Sequence, residues 1–219
     1  KRLNLYELGL TEKPLSVGGC SHIDIAFSQT ENGERRTERS DNTSYIEVNG
    51  LIGDLFIADS VNTYRPQDVG LLLRTNADTT LVRLQSGNLI MKLDACGYYE
   101  DLLGSLSVMA DSINAQLKER VIDQPAIMRL LPNMRLYVSS GQDNSIADFL
   151  RTNNAIKFKE VLVNLTTSPT NGINGQSHIL ALNADSTRID TIRLNLVHKE
   201  KGLTFNGLVA NNKKNPQFV

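Results

Sequence analysis

Tryptophan is absent from this sequence, and six tyrosines with six phenylalanines bring the aromatic share to only 5%. Sugar-binding faces rely on stacked rings, so a carbohydrate platform is disfavoured, and so is a sandwich core packed around aromatics. Cysteine is scarce as well. Cys20 and Cys96 are too few for a disulfide framework or a cysteine-rich metal site. One bridge between them stays open, because pairing depends on Cβ geometry that a sequence does not give. No apolar run reaches the roughly 18 residues that a membrane-spanning helix needs. An excess of either charge is also missing: 23 Lys and Arg stand against 24 Asp and Glu, for a net charge of -1. That argues against nucleic acid as a partner, since its binders carry a clear basic surplus. It gives no global attraction to anionic membrane surfaces either. What remains is a 219-residue chain, 40% hydrophobic and 21% charged. Such a chain is globular and long enough for one large domain or two small ones.

Chemical motifs are equally sparse. His22, His178 and His198 lie far apart, with no two at ligand spacing, and read as strand histidines rather than a metal site. Asp54, Asp59 and Asp68 crowd one region, but beside Gly53, Ser60 and Pro66 they suit turns better than a catalytic carboxylate pair. A Gly-x-Ser-x-Gly nucleophile motif is missing, and no glycine-rich phosphate loop precedes a helix. Gly18-Gly19 reads as a bend. Arg35, Arg36 and Arg39 are interleaved with Glu31, Glu34 and Glu38, the texture of a solvated loop. Val17-Gly18-Gly19-Cys20 has the outline of a lipoprotein cleavage site. However, residues 1–14 carry Glu7, Glu12 and Lys13 where an apolar core would be needed, so that reading fails. The expectation is a protein that is not an enzyme and holds no metal or cofactor.

What the chain does have is alternation with a period of two, the mark of half-buried strands. Ile23, Ile25 and Phe27 oppose His22, Asp24 and Ala26. After a polar loop over 29–44, strands are expected at 45–48, 55–57, 69–74, 80–84 and 89–94, with Gly50 as a break between the first two. Gln85-Ser86-Gly87-Asn88 makes a hairpin turn. At Gly97 the period changes. Tyr99, Leu102, Leu103, Leu106, Met109, Ala110, Ile113 and Leu117 form the stripe of an amphipathic helix. Asp123 and Pro125 open a second helix over 124–131, and Asn144 or Ser145 caps a third through Leu150, after a strand at 134–139. Strands return at 156–165, 177–182, 191–197 and 203–209, with turns at Asn171-Gly172 and Asn174-Gly175. A weak echo links Asn76-Ala77-Asp78-Thr79-Thr80 to Asn183-Ala184-Asp185-Ser186-Thr187.

The expected fold is therefore mainly β with a helical insertion. It has a β-rich part over 1–97, a helical insertion with one strand over 98–152, and a β-rich part over 153–219, together one structural unit. Roughly ten strands, apolar on one side only, imply an antiparallel sheet with one dry face. Leu89, Met91, Leu93, Ile192, Leu194, Leu196, Leu203 and Phe205 would line that face. It could be covered by a second sheet, covered in part by the amphipathic helix, or left as an open U-shaped groove for an apolar ligand. Sealed, these residues are ordinary core and the protein is a structural or protein-binding module. Open, they contact acyl chains.

From about Tyr45 onward the sequence resembles the TamB branch of the AsmA-like superfamily, in the form found in Bacteroidota envelopes. The likeness rests on residues 69–80, reading Val69-Gly70-Leu71-Leu72-Leu73-Arg74-Thr75-Asn76-Ala77-Asp78-Thr79-Thr80, and on Gly97-Tyr98-Tyr99-Glu100. It rests also on Arg120-Val121-Ile122-Asp123-Gln124 and on residues 184–196. It implies a periplasmic β-groove anchored in the inner membrane, carrying phospholipids between membranes or helping outer-membrane proteins assemble. Phospholipid acyl chains and outer-membrane assembly proteins are the implied partners. The anchor is not part of this sequence, so the chain would be an internal segment of a longer protein. The family supplies no catalytic residues.

Overall fold

A computed structural model of the chain describes residues 2–4, 7, 14, 16–28, 44–58, 63–65, 67–184, 187–199, 202–212, 214 and 215. Among these described residues thirteen strands and three helices follow one another. They begin with β1 (Arg2–Asn4), β2 (Ser16–Ser28), β3 (Tyr45–Ala58), β4 (Thr63–Tyr64), β5 (Val69–Asn76), β6 (Thr79–Ser86) and β7 (Leu89–Cys96). Then come α1 (Tyr99–Glu119), α2 (Gln124–Leu130), β8 (Met134–Ser140) and α3 (Ser145–Asn153). The chain finishes with β9 (Ile156–Lys157), β10 (Glu160–Ser168), β11 (Gly172–Ala184), β12 (Thr187–Lys199) and β13 (Gly202–Ala210).

The fold is mainly β, as expected. One open antiparallel sheet runs β1-β2-β3-β5-β6-β7-β8-β10-β11-β12-β13, with β4 added to β3 and β9 to β11, and it does not close into a barrel. Among the described residues, helices occur in the connections from β7 to β8 and from β8 to β10. Because β8 sits between β7 and β10, the sheet passes without interruption beneath both. Among the described residues no helix is long and apolar enough to cross a membrane.

Local chemistry explains the element ends. The Asn76 side-chain oxygen accepts from the backbone N–H groups of Asp78 (2.9 Å) and Thr79 (2.7 Å), which closes the β5–β6 turn. Gly87 turns the β6–β7 hairpin at φ +52, and a Cβ there would lie 2.0 Å from the Asp143 carbonyl oxygen. Asp123 caps α2 through the Ala126 N–H, with Pro125 in its first turn. Asn144 caps α3 through the Ala147 N–H at 2.8 Å.

Three expectations need correction. Gly50 does not break a strand: it pairs with Ile23 on one side and Leu71 on the other, so β3 runs through it. Asn174-Gly175 is not a turn but part of β11. A Cβ at Gly175 would meet the Asn164 carbonyl oxygen at 2.5 Å, so the glycine serves a close strand approach. Gly18-Gly19 is not a free bend either. It lies within β2, where the register against β3 shifts between Gly18 and Cys20, a β-bulge. The helical insertion covers part of the sheet at one end: the start of α1 is held on Thr75 of β5, and a Cβ at Gly202 of β13 would lie 2.7 Å from the Gln124 side chain at the start of α2. Helix α1 also packs against α2, with Leu102 buried and Leu103, Val108 and Leu117 exposed.

The polar loop expected over 29–44, with Arg35, Arg36 and Arg39, lies outside the described residues except for Ser44. So do Asp59, Ser60 and Pro66, and likewise Asp185 and Ser186 of the sequence echo.

Candidate functional site

Directly paired residues of antiparallel strands point to the same face, so the register maps each face row by row. Along the middle of one face runs Ile25, Val48, Leu73, Val82 and Leu93, continued by Leu136, Leu165, Gly175, Leu196 and Phe205. The row beside it is Ile23, Gly50, Leu71, Leu84 and Met91, then Val138, Val163, Ser177, Leu194 and Gly207. Ten strands thus contribute two rows without a single charged side chain. At the usual strand spacing the band is roughly 43 Å long.

None of these residues is buried. Most are half-buried, while Ile23, Ile25, Leu71 and Phe205 are exposed. Monomeric soluble proteins seldom leave contiguous apolar surface beyond about a few hundred Å² uncovered, so such a band marks a contact surface.

The ends of the same face are closed. At one end Thr75 is 0% and Thr80 1% exposed, and Ala95 and Thr167 are also buried. There the helical insertion is fastened by a relay of hydroxyls. The Tyr99 N–H donates to Thr75 Oγ1 at 3.1 Å, Thr75 Oγ1 and Thr80 Oγ1 lie 2.8 Å apart, and Thr80 Oγ1 donates to the Gly97 carbonyl at 2.8 Å. Since Thr80 spends its proton on Gly97, Thr75 is the donor between the two threonines. Thr167 Oγ1 donates to the Pro132 carbonyl at 2.6 Å. At the other end the start of α3 is tied down. Ser86 Oγ accepts from the Ser145 N–H, Ser145 Oγ donates to the Gln67 carbonyl, and the Asn144 amide donates to Asn88, Ser140 and Gly141.

All eight residues expected on the dry face do share it: Leu89, Met91 and Leu93 on β7, Ile192, Leu194 and Leu196 on β12, and Leu203 and Phe205 on β13. Leu89 differs from the rest. It is 4% exposed, flanked by Asn88 and opposite Ser86, both bound to the Ser140–Ser145 segment, so it is packed core rather than open surface. Sequence reasoning left out the matching residues of the central strands, Leu73, Val82, Leu136, Val138, Val163 and Leu165, although the same alternation marks them.

The opposite face is the more polar of the two, although Leu51, Ile90 and Leu208 are exposed on it. Cross-strand pairs join Arg74 to Glu47 and Arg83 to Asp94. Hydrogen bonds from Asn49 first and Arg74 second hold the Glu47 carboxyl below its usual pKa. Shallow hollows of about 490 Å³ (among Asn49, Leu51, Leu72, Arg83, Ile90 and Lys92) and about 460 Å³ (among Leu162, Gln176, Arg193, Asn195, Asn206 and Leu208) mix polar and aliphatic lining.

The other candidates do not assemble. His22 pairs with Asp24 at 3.1 Å on the surface, and Asp68, just before β5, accepts from the backbone N–H of Asp54 at 3.2 Å; Asp54 lies within β3, not in the turn expected of it. Cys20 and Cys96 are free and exposed. Among the described residues no group of three or more His, Cys, Asp or Glu side chains could hold a metal ion. Comparison with protein-family models, with curated proteins and with solved structures gave no significant match.

Proposed function

We propose that this chain is a lipid-handling segment of a cell-envelope protein, a TamB-like β-sheet whose apolar band receives phospholipid acyl chains. The carrying observation is the band itself: two adjacent uncharged rows across ten strands with no buried residue among them. Acyl chains laid along it leave water, which is the driving force, while head groups stay solvated at the margins. Movement along the band is passive. No bond is made or broken, so the protein is not an enzyme in this reading and needs no cofactor.

The resemblance over residues 69–80 and 184–196 supports the same reading, and with it a periplasmic location and outer-membrane assembly proteins as further partners. The competing expectation is a structural or protein-binding module with a closed core, and the exposure of Ile23, Ile25, Leu71 and Phe205 favours the open reading.

Site-specific photocrosslinking tests the proposal. A benzophenone side chain at Leu93, Leu136 or Leu194 should label phospholipid from vesicles, and the same probe at Arg83, Tyr137 or Asn195 on the polar face should not. Equal labelling from both faces, or none from the apolar face, overturns the proposal.

A further inference from the structure

Helix α3 ends on a chain reversal that brings its last turn against a short strand. The Asn154 N–H still bonds to the Leu150 carbonyl, and Ala155 then adopts a left-handed φ of +52, which turns the chain back. β9 follows at once, pairs with Asn183 and Ala184 of β11, and packs against α3. Beside this reversal lies a hollow of about 230 Å³, lined by Gln142, Ala147, Arg151, Lys157 and Phe158. Ala147 and Phe158 are buried and supply an apolar wall, whereas Arg151 and Lys157 are exposed. Two cations and one amide thus share the hollow, and among the described residues no carboxylate lines it. Arg151 donates to Asp148 one turn back through Nη2 alone, which leaves most of its guanidinium fork to other acceptors. Among the described residues Lys157 has no ion-pair partner, and the Gln142 side chain has no hydrogen bond.

Single unpaired cations are ordinary on a protein surface. Two that converge on one walled hollow repel each other unless an anion sits between them. We propose that this hollow binds the phosphoryl group of a small phosphate ester. The guanidinium of Arg151 matches two phosphoryl oxygens with parallel N–H donors, and Lys157 adds a mobile point charge. The Gln142 amide supplies a neutral donor. The wall of Ala147 and Phe158 keeps water from one side, which strengthens each of these hydrogen bonds. Size limits the rest of the ligand. At about 230 Å³ the hollow falls below the range of roughly 300–1,000 Å³ that takes drug-sized molecules, so the alcohol is of glycerol size and a nucleotide is excluded. Soluble glycerol 3-phosphate and the head group of phosphatidic acid present the same chemistry. The site stands apart from the open rows of the sheet, and the proposal holds whether or not they carry lipid.

Titrating the 219-residue chain with glycerol 3-phosphate should move the backbone amide NMR signals of residues 142–158 saturably, and glycerol should not. Lys157→Gln removes an exposed, unpaired cation, so it should fold normally and weaken binding about tenfold, the worth of one charge-assisted hydrogen bond. Arg151→Lys keeps the charge but loses the fork, and should weaken binding as well. Should the Arg151 variant fail to fold, Lys157→Gln decides alone. Vesicles of phosphatidylcholine with and without phosphatidic acid separate the two sources. Retention that requires phosphatidic acid and falls in Lys157→Gln assigns a lipid head group. Saturable binding of glycerol 3-phosphate without such retention assigns a soluble ester. Shifts that glycerol reproduces, or that persist unchanged in Lys157→Gln, overturn the proposal. So does the absence of both glycerol 3-phosphate binding and Lys157-dependent retention.

Discussion

The middle and the ends of one sheet face follow opposite rules. At the ends, small polar side chains are buried: Asn144, Thr75, Thr80 and Ser86 are the largest fully buried side chains among the described residues. In the middle, large aliphatic side chains are left at the surface. A protein built only for stability would do the reverse, since apolar burial is the main favourable term and buried polar groups must all be satisfied. Here the hydroxyls fasten the helical connections by hydrogen bonds, and those connections stop short of the two middle rows. The stability of the ends is therefore what permits an uncovered middle.

Carboxylate substitutions give the largest contrast. Leu89→Asp puts a charge into the closed end and should cost more than about 4 kcal/mol, enough to unfold a marginal domain. Leu136→Asp puts the same charge on an open row and should cost about 1 kcal/mol in urea denaturation, while abolishing lipid labelling. Equal costs would mean that the middle is sealed in solution and that the two regions do not differ.

The hydroxyl relay comes next. Thr75→Val keeps the shape but leaves the Tyr99 N–H without its acceptor and Thr80 without its donor, and should destabilise by about 2 kcal/mol. Gly175→Ala sharpens the point from the backbone side. Its Cβ must displace the Asn164 carbonyl, a loss of about 1.5 kcal/mol in the same denaturation experiment. If Thr75→Val proves neutral, the ends are not held by hydrogen bonds in the way described.

Much of this was legible in the sequence, for a physical reason. A two-residue period survives wherever one face is apolar, so residues 21–28, 89–94 and 191–209 declared their faces, and Asp123 and Asn144 declared their helix starts. Gly175 was misread because a glycine that admits a neighbouring backbone looks the same, locally, as one that makes a turn, and Gly50 because its pairing with Ile23 and Leu71 leaves no local mark. The stripe of α1 declared a helix that needs a partner, and the packing against α2 could not be read from it. The buried hydroxyls left a faint signal. Thr75, Thr80, Ser86, Ser140 and Thr167 occupy positions whose parity is apolar, always at strand ends beside a helical connection. Sheet pairing was needed to see that they share a face.

Acidification separates the same two regions by sign. Glu47 on the wet face has a carboxyl pKa lowered by hydrogen bonds from Asn49 and then Arg74. A group whose folded pKa lies below its unfolded value contributes stability above the unfolded pKa, and that contribution is lost as pH falls through the folded one. Asp148 at the α3 end is raised by burial, with Arg151 opposing in part. Its contribution has the other sign: it is present below the unfolded pKa and lost as pH rises through the folded one. Stability measured from neutral pH down through the carboxylate range should therefore fall less steeply in Glu47→Gln than in the unaltered chain, and more steeply in Asp148→Asn. Both changes should be small, because Glu47 is solvent-screened and Asp148 keeps a partner. If the two variants shift the slope in the same direction, one of these carboxylates has been placed in the wrong environment, and the division between a wet face and a closed end fails at that residue.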